Sequence, residues 1–209
     1  MKHNPQKIVE MFEESMAEYT GSKYAVAVDN CTNAIKICCK HLKVKEVNIP
    51  YNTYVSVAQS ILQAGGSVKF RKEEWSGIYQ LNPYPIYDAA KRLTSDMYIP
   101  STLMCLSFGI KKPLHIGKGG MILTDDKSSY ESLKRLRWSG RTEGLSYFND
   151  LIEDDGYNSY FTPEWAARGL MLLSVYPTTA PDQKEAPDYR DIREFNFIQK
   201  KHERINQDR

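Results

Sequence analysis

Two adjacent lysines between two apolar runs are the residues of this sequence that most directly suggest chemistry. Lys111 and Lys112 follow the apolar run Met104–Phe108. The glycine pair Gly119-Gly120 then precedes a second apolar run, Met121–Leu123. Such runs predict two buried strands, with the lysines on the loop between them. Desolvation and a neighbouring cation both lower the pKa of an amine, and a neutral amine is a nucleophile toward aldehydes. An ordinary lysine pair on a solvated hairpin loop is the alternative that this stretch leaves open.

Two other predicted strands are also followed by polar groups. The loop Asn30–Asn33 comes after the predicted strand Tyr24–Val28 and lies at the start of a predicted helix. A helix N-terminus favours an anion, and the Thr32 hydroxyl adds a donor. Asp88 ends the predicted strand Pro85–Asp88, at the edge where open α/β sheets bind ligands. Taken singly, the loop is equally an ordinary helix cap and Asp88 a turn residue.

An anion site, a carboxylate and an amine along one crevice suit pyridoxal 5'-phosphate. The amine would form a Schiff base with the cofactor, and the helix N-terminus would hold the phosphate. The carboxylate would keep the ring nitrogen protonated, which makes the ring an electron sink. Ser107, five residues before Lys112, lies at the end of the same predicted strand. The three signals together, in this order, indicate this cofactor more strongly than any one of them.

Strand-like and helical segments alternate along most of the chain. The predicted helices are Ile8–Tyr19, Ala34–Leu42, Val55–Ala64, Ser129–Trp138 and Pro163–Tyr176. The remaining predicted strands are Val47–Pro50 and Ser67–Phe70. This alternation predicts a three-layer α/β fold, with a mainly parallel sheet covered by helices on both faces. Residues 1–176 are predicted to form this domain, residues 141–155 a polar loop within it, and residues 177–209 a charged C-terminal helical tail.

The composition argues against several other classes of protein. A net charge of +2 over 209 residues gives no sign of a nucleic-acid partner. The four cysteines lack paired metal-ligand spacing, which predicts buried thiols in a reducing compartment and no metal site. The N-terminus lacks the apolar segment of a signal peptide, and no apolar stretch is long enough to span a bilayer. We therefore expect a cytoplasmic protein without a membrane or nucleic-acid partner.

Short motifs occur along the chain in a fixed order. They are NCTNAI (Asn30–Ile35), TYVSV (Thr53–Val57), YDAAK (Tyr87–Lys91), SFGIKK (Ser107–Lys112), GKGG (Gly117–Gly120) and GYN (Gly156–Asn158). They resemble S-G-T-x-A-L, T-F/W-x-x-S/T, E-D-A-A-Q, S-F-H-x-x-K, G-E-G-G and G-Y-N-x-R of the DegT-type sugar aminotransferases, a branch of the fold-type I pyridoxal-phosphate enzymes. The resemblance covers roughly residues 8–173. This chain lacks that family's C-terminal small domain, and residues 71–84 are too few for a strand–helix unit that the family usually has.

The resemblance implies a role for each matching residue. The ungapped spacing from the serine to the glycine pair selects Lys112, not Lys111, for the Schiff base. The match of YDAAK to E-D-A-A-Q assigns Asp88 to the ring nitrogen. Tyr54 would stack on the cofactor ring. Lys91 replaces a glutamine near the phenolic oxygen of the cofactor. The residues that would hold the phosphate are Cys31, Thr32, Ser107 and Asn158, the asparagine reaching it from the neighbouring subunit.

The resemblance implies an aminotransferase that moves an amino group from glutamate to a nucleotide-linked keto-sugar. It also implies a homodimer whose subunits share the active site. Gly109 and Lys118 replace a histidine and a glutamate of the family, which removes a contact or two. Tyr160 replaces an arginine, which leaves open a substrate or interface contact. Together with the missing domain they leave a second hypothesis, a non-catalytic degenerate relative used for binding or assembly. The retained lysine, aspartate and aromatic residue argue against it, and an unrelated α/β binding module would make the ordered motifs a coincidence.

Overall fold

The computed structural model of the chain describes residues 6–183 and 189–199. The helices are α1 (Lys7–Thr20), α2 (Cys31–His41), α3 (Val55–Gln63), α4 (Lys127–Arg137) and α5 (Pro163–Leu173). The strands are β1 (Tyr24–Val28), β2 (Glu46–Pro50), β3 (Ser67–Arg71), β4 (Tyr79–Gln80), β5 (Ile86–Asp88), β6 (Leu103–Ser107) and β7 (Gly120–Thr124). All predicted elements of the domain are present. Helix α2 begins three residues before the predicted Ala34, because the Asn30 side chain accepts a hydrogen bond from the Asn33 N–H (2.8 Å) and caps the helix.

Five strands form one sheet in the order β1-β7-β6-β5-β4, and β2 and β3 pair separately in parallel. Among the described strands of the larger sheet, only β5 and β6 are parallel neighbours, whereas the β1–β7, β6–β7 and β4–β5 pairs are antiparallel. The α/β class is confirmed, and the sheet is mixed where the sequence predicts mainly parallel pairing. The five residues between β4 and β5 are too few for the long crossover connection that a parallel pair needs, whereas no helix of the described chain lies between β6 and β7 to carry a crossover.

Helices cover both faces of the larger sheet. Successive side chains of a strand point to opposite faces, so Val26 and Val28 of β1 belong to one core and Ala25 and Ala27 to the other. The first core contains buried residues of α2, α3 and α4, and the second contains buried residues of α1 and α5. The three-layer arrangement therefore places the ends of β5 and β6 beside the start of α2.

An ion pair covers the outer edge of β1. The Ala27 N–H donates to Glu13 Oε1 (2.7 Å), and the Ala27 carbonyl accepts from Arg137 Nη1 (2.6 Å). Arg137 also pairs directly with Glu13, and both side chains are buried. Because Glu13 lies on α1 and Arg137 on α4, the pair joins helices on opposite faces and satisfies the backbone of an edge strand.

After residue 176, the described part of the chain differs from the helical tail that the sequence predicts. Residues 177–183 are not helical, a 3-10 turn forms at Ile192–Glu194, and residues 196–199 are helical. The Arg92 guanidinium binds Asp182 (2.7 and 2.6 Å), and the buried Ile192 donates its N–H to the Tyr51 carbonyl (3.1 Å). Backbone and side-chain contacts with the domain thus replace a continuous helix, while docking by apolar residues such as Ile192 is confirmed. The predicted loose end lies outside the described residues.

The four cysteines are free thiols. Cys38, Cys39 and Cys105 are buried as predicted, and Cys31 is half-buried. Within residues 6–183 and 189–199, no helix has both the length and the apolar character needed to cross a membrane. The predicted loop 141–155 contains a single 3-10 turn, Tyr147–Asn149, and no other regular element.

Candidate active site

A cavity of about 800 Å³ lies at the ends of β5 and β6 and the start of α2. It gathers seven of the eight residues singled out from the sequence. They are Cys31, Thr32, Tyr54, Asp88, Lys91, Ser107 and Lys112. Such a volume is typical of a ligand pocket. Residues that are far apart in the sequence are therefore brought to one site by the strand order.

The start of α2 forms one wall of the cavity and is suited to an anion. The N–H groups of the first helical turn have no acceptor earlier in the helix, and Cys31 and Thr32 line the cavity there. Gly120 of β7 packs directly on this turn, since a Cβ at Gly120 would lie 2.6 Å from the Cys31 backbone nitrogen. Burial raises the pKa of the Cys31 thiol well above its usual value. The thiol therefore stays neutral and does not repel an anion.

Asp88 ends β5 as a buried carboxyl group with two protein donors. The Ala90 N–H donates to Oδ1 (2.9 Å) and the Tyr79 hydroxyl to Oδ2 (2.8 Å). Burial raises the pKa of Asp88, and the two hydrogen bonds and the ammonium groups of Lys112 and Lys91 act against this rise. A buried carboxylate with cations around it is ready to pair with a cationic N–H group of a ligand.

Lys112 lies on the loop between β6 and β7, as predicted. Both lysines line the cavity, but Lys112 is half-buried whereas Lys111 is exposed. The positive charge of Lys112 lowers the pKa of both Asp88 and Cys31, which places it within electrostatic reach of the carboxylate and of the anion site. Its position supports the choice of Lys112 over Lys111.

At another wall of the cavity, aromatic rings surround the ammonium group of the buried Lys91. Its Nζ lies 4.5 Å from the ring centroid of Tyr189 and 5.5 Å from that of Trp75. Tyr54, at the start of α3, lines the cavity with a half-exposed ring 6.3 Å from the ring of Tyr189. Cation–π contacts of this kind hold an ammonium group in place away from bulk water.

The cavity also contains residues for which no role was predicted from the sequence. They are Thr53, Ser56, Trp75, Gln183 and Tyr189, and Tyr79 lies directly behind Asp88. Ser56 shares a hydrogen bond with the Thr32 hydroxyl (2.7 Å) and could have been noticed as a second hydroxyl within TYVSV. No motif marked the aromatic pair Trp75 and Tyr79 or the two tail residues, because only the folded chain brings them to the cavity.

Asn158 is the one predicted site residue that does not line the cavity. It is exposed, in a segment that runs beside β1, where the Asp29 N–H donates to the Ser159 carbonyl (3.0 Å). It pairs with Trp138 through an isolated antiparallel bridge. The structure therefore leaves Asn158 outside the site of its own chain.

The donor set of the cavity fits the groups of pyridoxal phosphate. A helix N-terminus with neutral hydroxyl and thiol groups suits the phosphate, and the buried Asp88 suits a protonated ring nitrogen. Lys112 supplies the amine that the aldehyde requires, and the ring of Tyr54 is available for stacking. The residues that could hold the cofactor are thus the seven cavity residues expected from the motifs, with the hydroxyl of Ser56 in addition.

Comparison with known proteins gives a family match over most of the chain. A model of the DegT/DnrJ/EryC1/StrS aminotransferase family matches residues 4–74 and 100–189. Residues 75–99 lie outside the match, so the placement of Asp88 and Lys91 in the cavity comes from the structure alone.

Two curated relatives cover most of this chain. The chain is 22% identical to a UDP-4-amino-4,6-dideoxy-N-acetyl-beta-L-altrosamine transaminase of Campylobacter jejuni over 232 residues, which is 88% of this chain and 61% of the relative. It is 26% identical to a GDP-perosamine synthase of Escherichia coli O157:H7 over 225 residues, 86% of this chain and 61% of the relative. The chain thus spans about three fifths of the length of these proteins.

Solved structures of sugar aminotransferases share the fold. The sugar aminotransferase CalS13 of Micromonospora echinospora superimposes with a TM-score of 0.70 at 16% identity, over 83% of this chain and 61% of that protein. A DegT DnrJ EryC1 StrS aminotransferase of Brucella abortus gives a TM-score of 0.69 at 20% identity, over 81% and 58%. The family match, together with this fold, shows that the chain belongs to the DegT/DnrJ/EryC1/StrS aminotransferase family.

Proposed function

We propose that this chain carries the active site of a pyridoxal-phosphate-dependent aminotransferase. The observation that carries the proposal is the meeting of Lys112, Asp88 and the start of α2 in one cavity. A non-catalytic relative is the alternative. A structural role alone would not need a buried carboxylate whose pKa is raised by its own burial, so the retained Asp88 favours an enzyme.

Each residue of the cavity has a task in this proposal. When bound, the cofactor supplies an electron sink for the substrate carbon that carries the amino group. Lys112 Nζ would hold the cofactor covalently until the amino group of the substrate takes its place, and the freed amine would then take up and return the proton of the substrate carbon. Asp88, in its ionised form, would keep a proton on the ring nitrogen. The other groups orient the cofactor: Cys31, Thr32 and Ser107 at the phosphate, Tyr54 on the ring face and Lys91 near the phenolic oxygen.

The substrates proposed are a nucleotide-linked keto-sugar and, as amino donor, glutamate. The names of the curated relatives specify UDP- and GDP-linked amino sugars, which supports this substrate class. The cavity of about 800 Å³ exceeds what a cofactor of this size fills, and leaves room for the reacting end of a sugar. A cytoplasmic location remains a prediction from the sequence.

The working unit proposed is a homodimer in which each site is completed by the other subunit. Asn158 is exposed outside the cavity of its own chain, as a residue that acts on a partner must be. Apolar side chains are exposed on the loop before it, where Phe148 is 95% and Leu151 85% accessible, and on α5 at Met171. An isologous contact would cover these side chains.

Covalent labelling tests the function. The purified chain, incubated with pyridoxal phosphate and reduced with borohydride, is expected to carry the reduced cofactor on Lys112. Peptide mapping locates the label, and Lys112→Ala should abolish it, while Lys111→Ala should keep it because that side chain is exposed. A label on Lys111 or Lys91, or a chain that takes up no cofactor, would contradict the proposal.

Complementation tests the shared site. Lys112→Ala and Asn158→Ala are each expected to have little transaminase activity alone. A mixture refolded together should recover about a quarter of wild-type activity, because half of the dimers are mixed and each has one intact site. Sedimentation of the same samples checks that dimers form. A monomer that turns over, or a mixture as inactive as its parents, would leave Asn158 with a structural role only.

A further inference from the structure

A hydrogen-bond chain runs from Thr53, just before α3, to Asp88 through Tyr79 of the edge strand β4. The Tyr79 hydroxyl donates to Asp88 Oδ2 (2.8 Å) and shares a second hydrogen bond with Thr53 Oγ1 (2.5 Å). A phenol has one proton, so when it donates to the carboxylate the bond from Thr53 must donate to the phenol oxygen. All three side chains are buried. The chain of donors therefore has one direction, from Thr53 to Tyr79 to Asp88.

These bonds fix the orientation of the carboxylate. The Ala90 N–H holds Oδ1 and the Tyr79 hydroxyl holds Oδ2, so each oxygen has one protein donor and at least one lone pair left. Burial raises the pKa of the Tyr79 hydroxyl well above its usual value, and the phenol therefore remains a donor over the working pH range. A carboxylate held in this way presents a lone pair to the cavity without rotating.

Tyr79 lies between β3 and β5, at a position that the family match does not cover. Tyr79 of β4 lies directly across from Asp88 of β5 in the antiparallel pair. The ring of Trp75 packs on that of Tyr79 at a centroid distance of 4.6 Å and limits its movement. Both aromatic residues fall in residues 75–99, outside the family match. The hydroxyl behind Asp88 is thus supplied by a segment that the family pattern does not describe.

We propose that Tyr79 is a positioning residue, which holds Asp88 as an oriented hydrogen-bond acceptor for the protonated ring nitrogen of pyridoxal phosphate. The inference rests on the proposed function and deepens it. Without the hydroxyl, Oδ2 loses its donor and the carboxylate loses both orientation and stabilisation of its charge. The ring nitrogen would then hold its proton less tightly.

The test removes only the hydroxyl, with Tyr79→Phe, and follows two NMR signals. In the chain without cofactor, the Asp88 carboxyl ¹³C signal should titrate at higher pH than in wild type. With ¹⁵N-labelled cofactor bound, the ring-nitrogen signal should move toward that of an unprotonated pyridine, because the more basic carboxylate draws the N–H proton toward itself, by about tenfold in the proton-sharing equilibrium. In steady state, kcat should fall by about the same tenfold factor with little change in KM for the amino donor.

Three further variants serve as controls. Tyr87→Phe removes a hydroxyl from the neighbouring strand, bonded to Gln80 Oε1 (3.3 Å), and should leave both signals unchanged. Thr53→Val should shift the Asp88 and ring-nitrogen signals in the same direction as Tyr79→Phe does, but by a smaller amount. Thr53→Ser keeps the hydroxyl and should give the wild-type signals. These variants also carry the test if Tyr79→Phe fails to fold.

The outcomes separate this inference from the proposed function. If wild type binds cofactor on Lys112 and Tyr79→Phe behaves as wild type does in both experiments, the positioning role is wrong and the proposed function stands. If wild type takes up no cofactor, the proposed function fails and the inference fails with it. If the Asp88 and ring-nitrogen signals shift in Tyr79→Phe and Thr53→Val but not in Tyr87→Phe, the inference is supported.

Discussion

The Asp88→Asn variant is expected to bind pyridoxal phosphate on Lys112 and to turn over about 10²–10³-fold more slowly than wild type. An amide cannot hold a proton on the ring nitrogen as a carboxylate does, so the electron sink is weakened while the phosphate and covalent contacts remain. Single-turnover rates with an amino donor measure the effect, and cofactor titration shows whether binding is kept. A variant with the wild-type rate would remove Asp88 from the mechanism.

The same substitution is expected to stabilise the chain in the absence of cofactor. Burial raises the pKa of Asp88 above its ordinary value of 3.8, so the folded state favours the protonated acid. The cost of burying this charge is absent below the pKa that Asp88 has in the unfolded chain. It is complete once the pH has risen above the pKa that Asp88 has in the folded chain. The neutral amide that replaces the carboxyl group has no such cost. Thermal unfolding should therefore give a higher Tm for Asp88→Asn at pH 7, with the difference shrinking as the pH falls toward 4.

Local signals in the sequence were sufficient to predict most helices and strands and seven of the residues that line the cavity. Apolar runs bounded by turn residues predicted β6 and β7, and the ordered motifs selected seven residues that line one cavity. These predictions depend on short spacings, such as the five residues from Ser107 to Lys112, which a folded chain preserves. The order of the strands then brings the motifs together without further information.

The remaining features depend on contacts between distant residues. Tyr79 lies in a two-residue strand, too short for any periodic pattern, and its role follows only from the pairing with β5. The direction of β7 is set by its antiparallel pairing with β1 and β6, which the apolar pattern does not report. Gln183 and Tyr189 reach the cavity through tail contacts such as Arg92 with Asp182. No sequence motif predicts that these residues lie at the cavity.

The largest loss of stability is expected from Arg137→Met. Glu13 and Arg137 are charged residues of α1 and α4, yet their side chains are only 5% and 3% exposed. Methionine fills a similar volume but leaves the Glu13 carboxylate buried without its main partner and the Ala27 carbonyl without its donor. Such an uncompensated charge costs about 3–5 kcal/mol in the free energy of unfolding. Urea denaturation at pH 7 measures it.

Arg135→Met is the matched control on the same helix. Arg135 pairs with Asp154 (2.6 Å), but the two side chains are 38% and 31% exposed, so the loss of unfolding free energy should stay below about 1 kcal/mol.

The loss of stability in Arg137→Met should depend on pH. Burial already raises the pKa of Glu13 from 4.5, and the charge of Arg137 opposes the rise. Without the charge of Arg137, the cost of burying the Glu13 carboxylate is present above the pKa that Glu13 has in the unfolded chain and disappears below it. The loss of unfolding free energy in Arg137→Met should therefore be smaller at pH 4 than at pH 8. The Glu13→Gln/Arg137→Met double variant, with no buried charge, should be more stable than Arg137→Met alone. Equal losses for the two arginines, or a deficit independent of pH, would show that β1 does not depend on this pair.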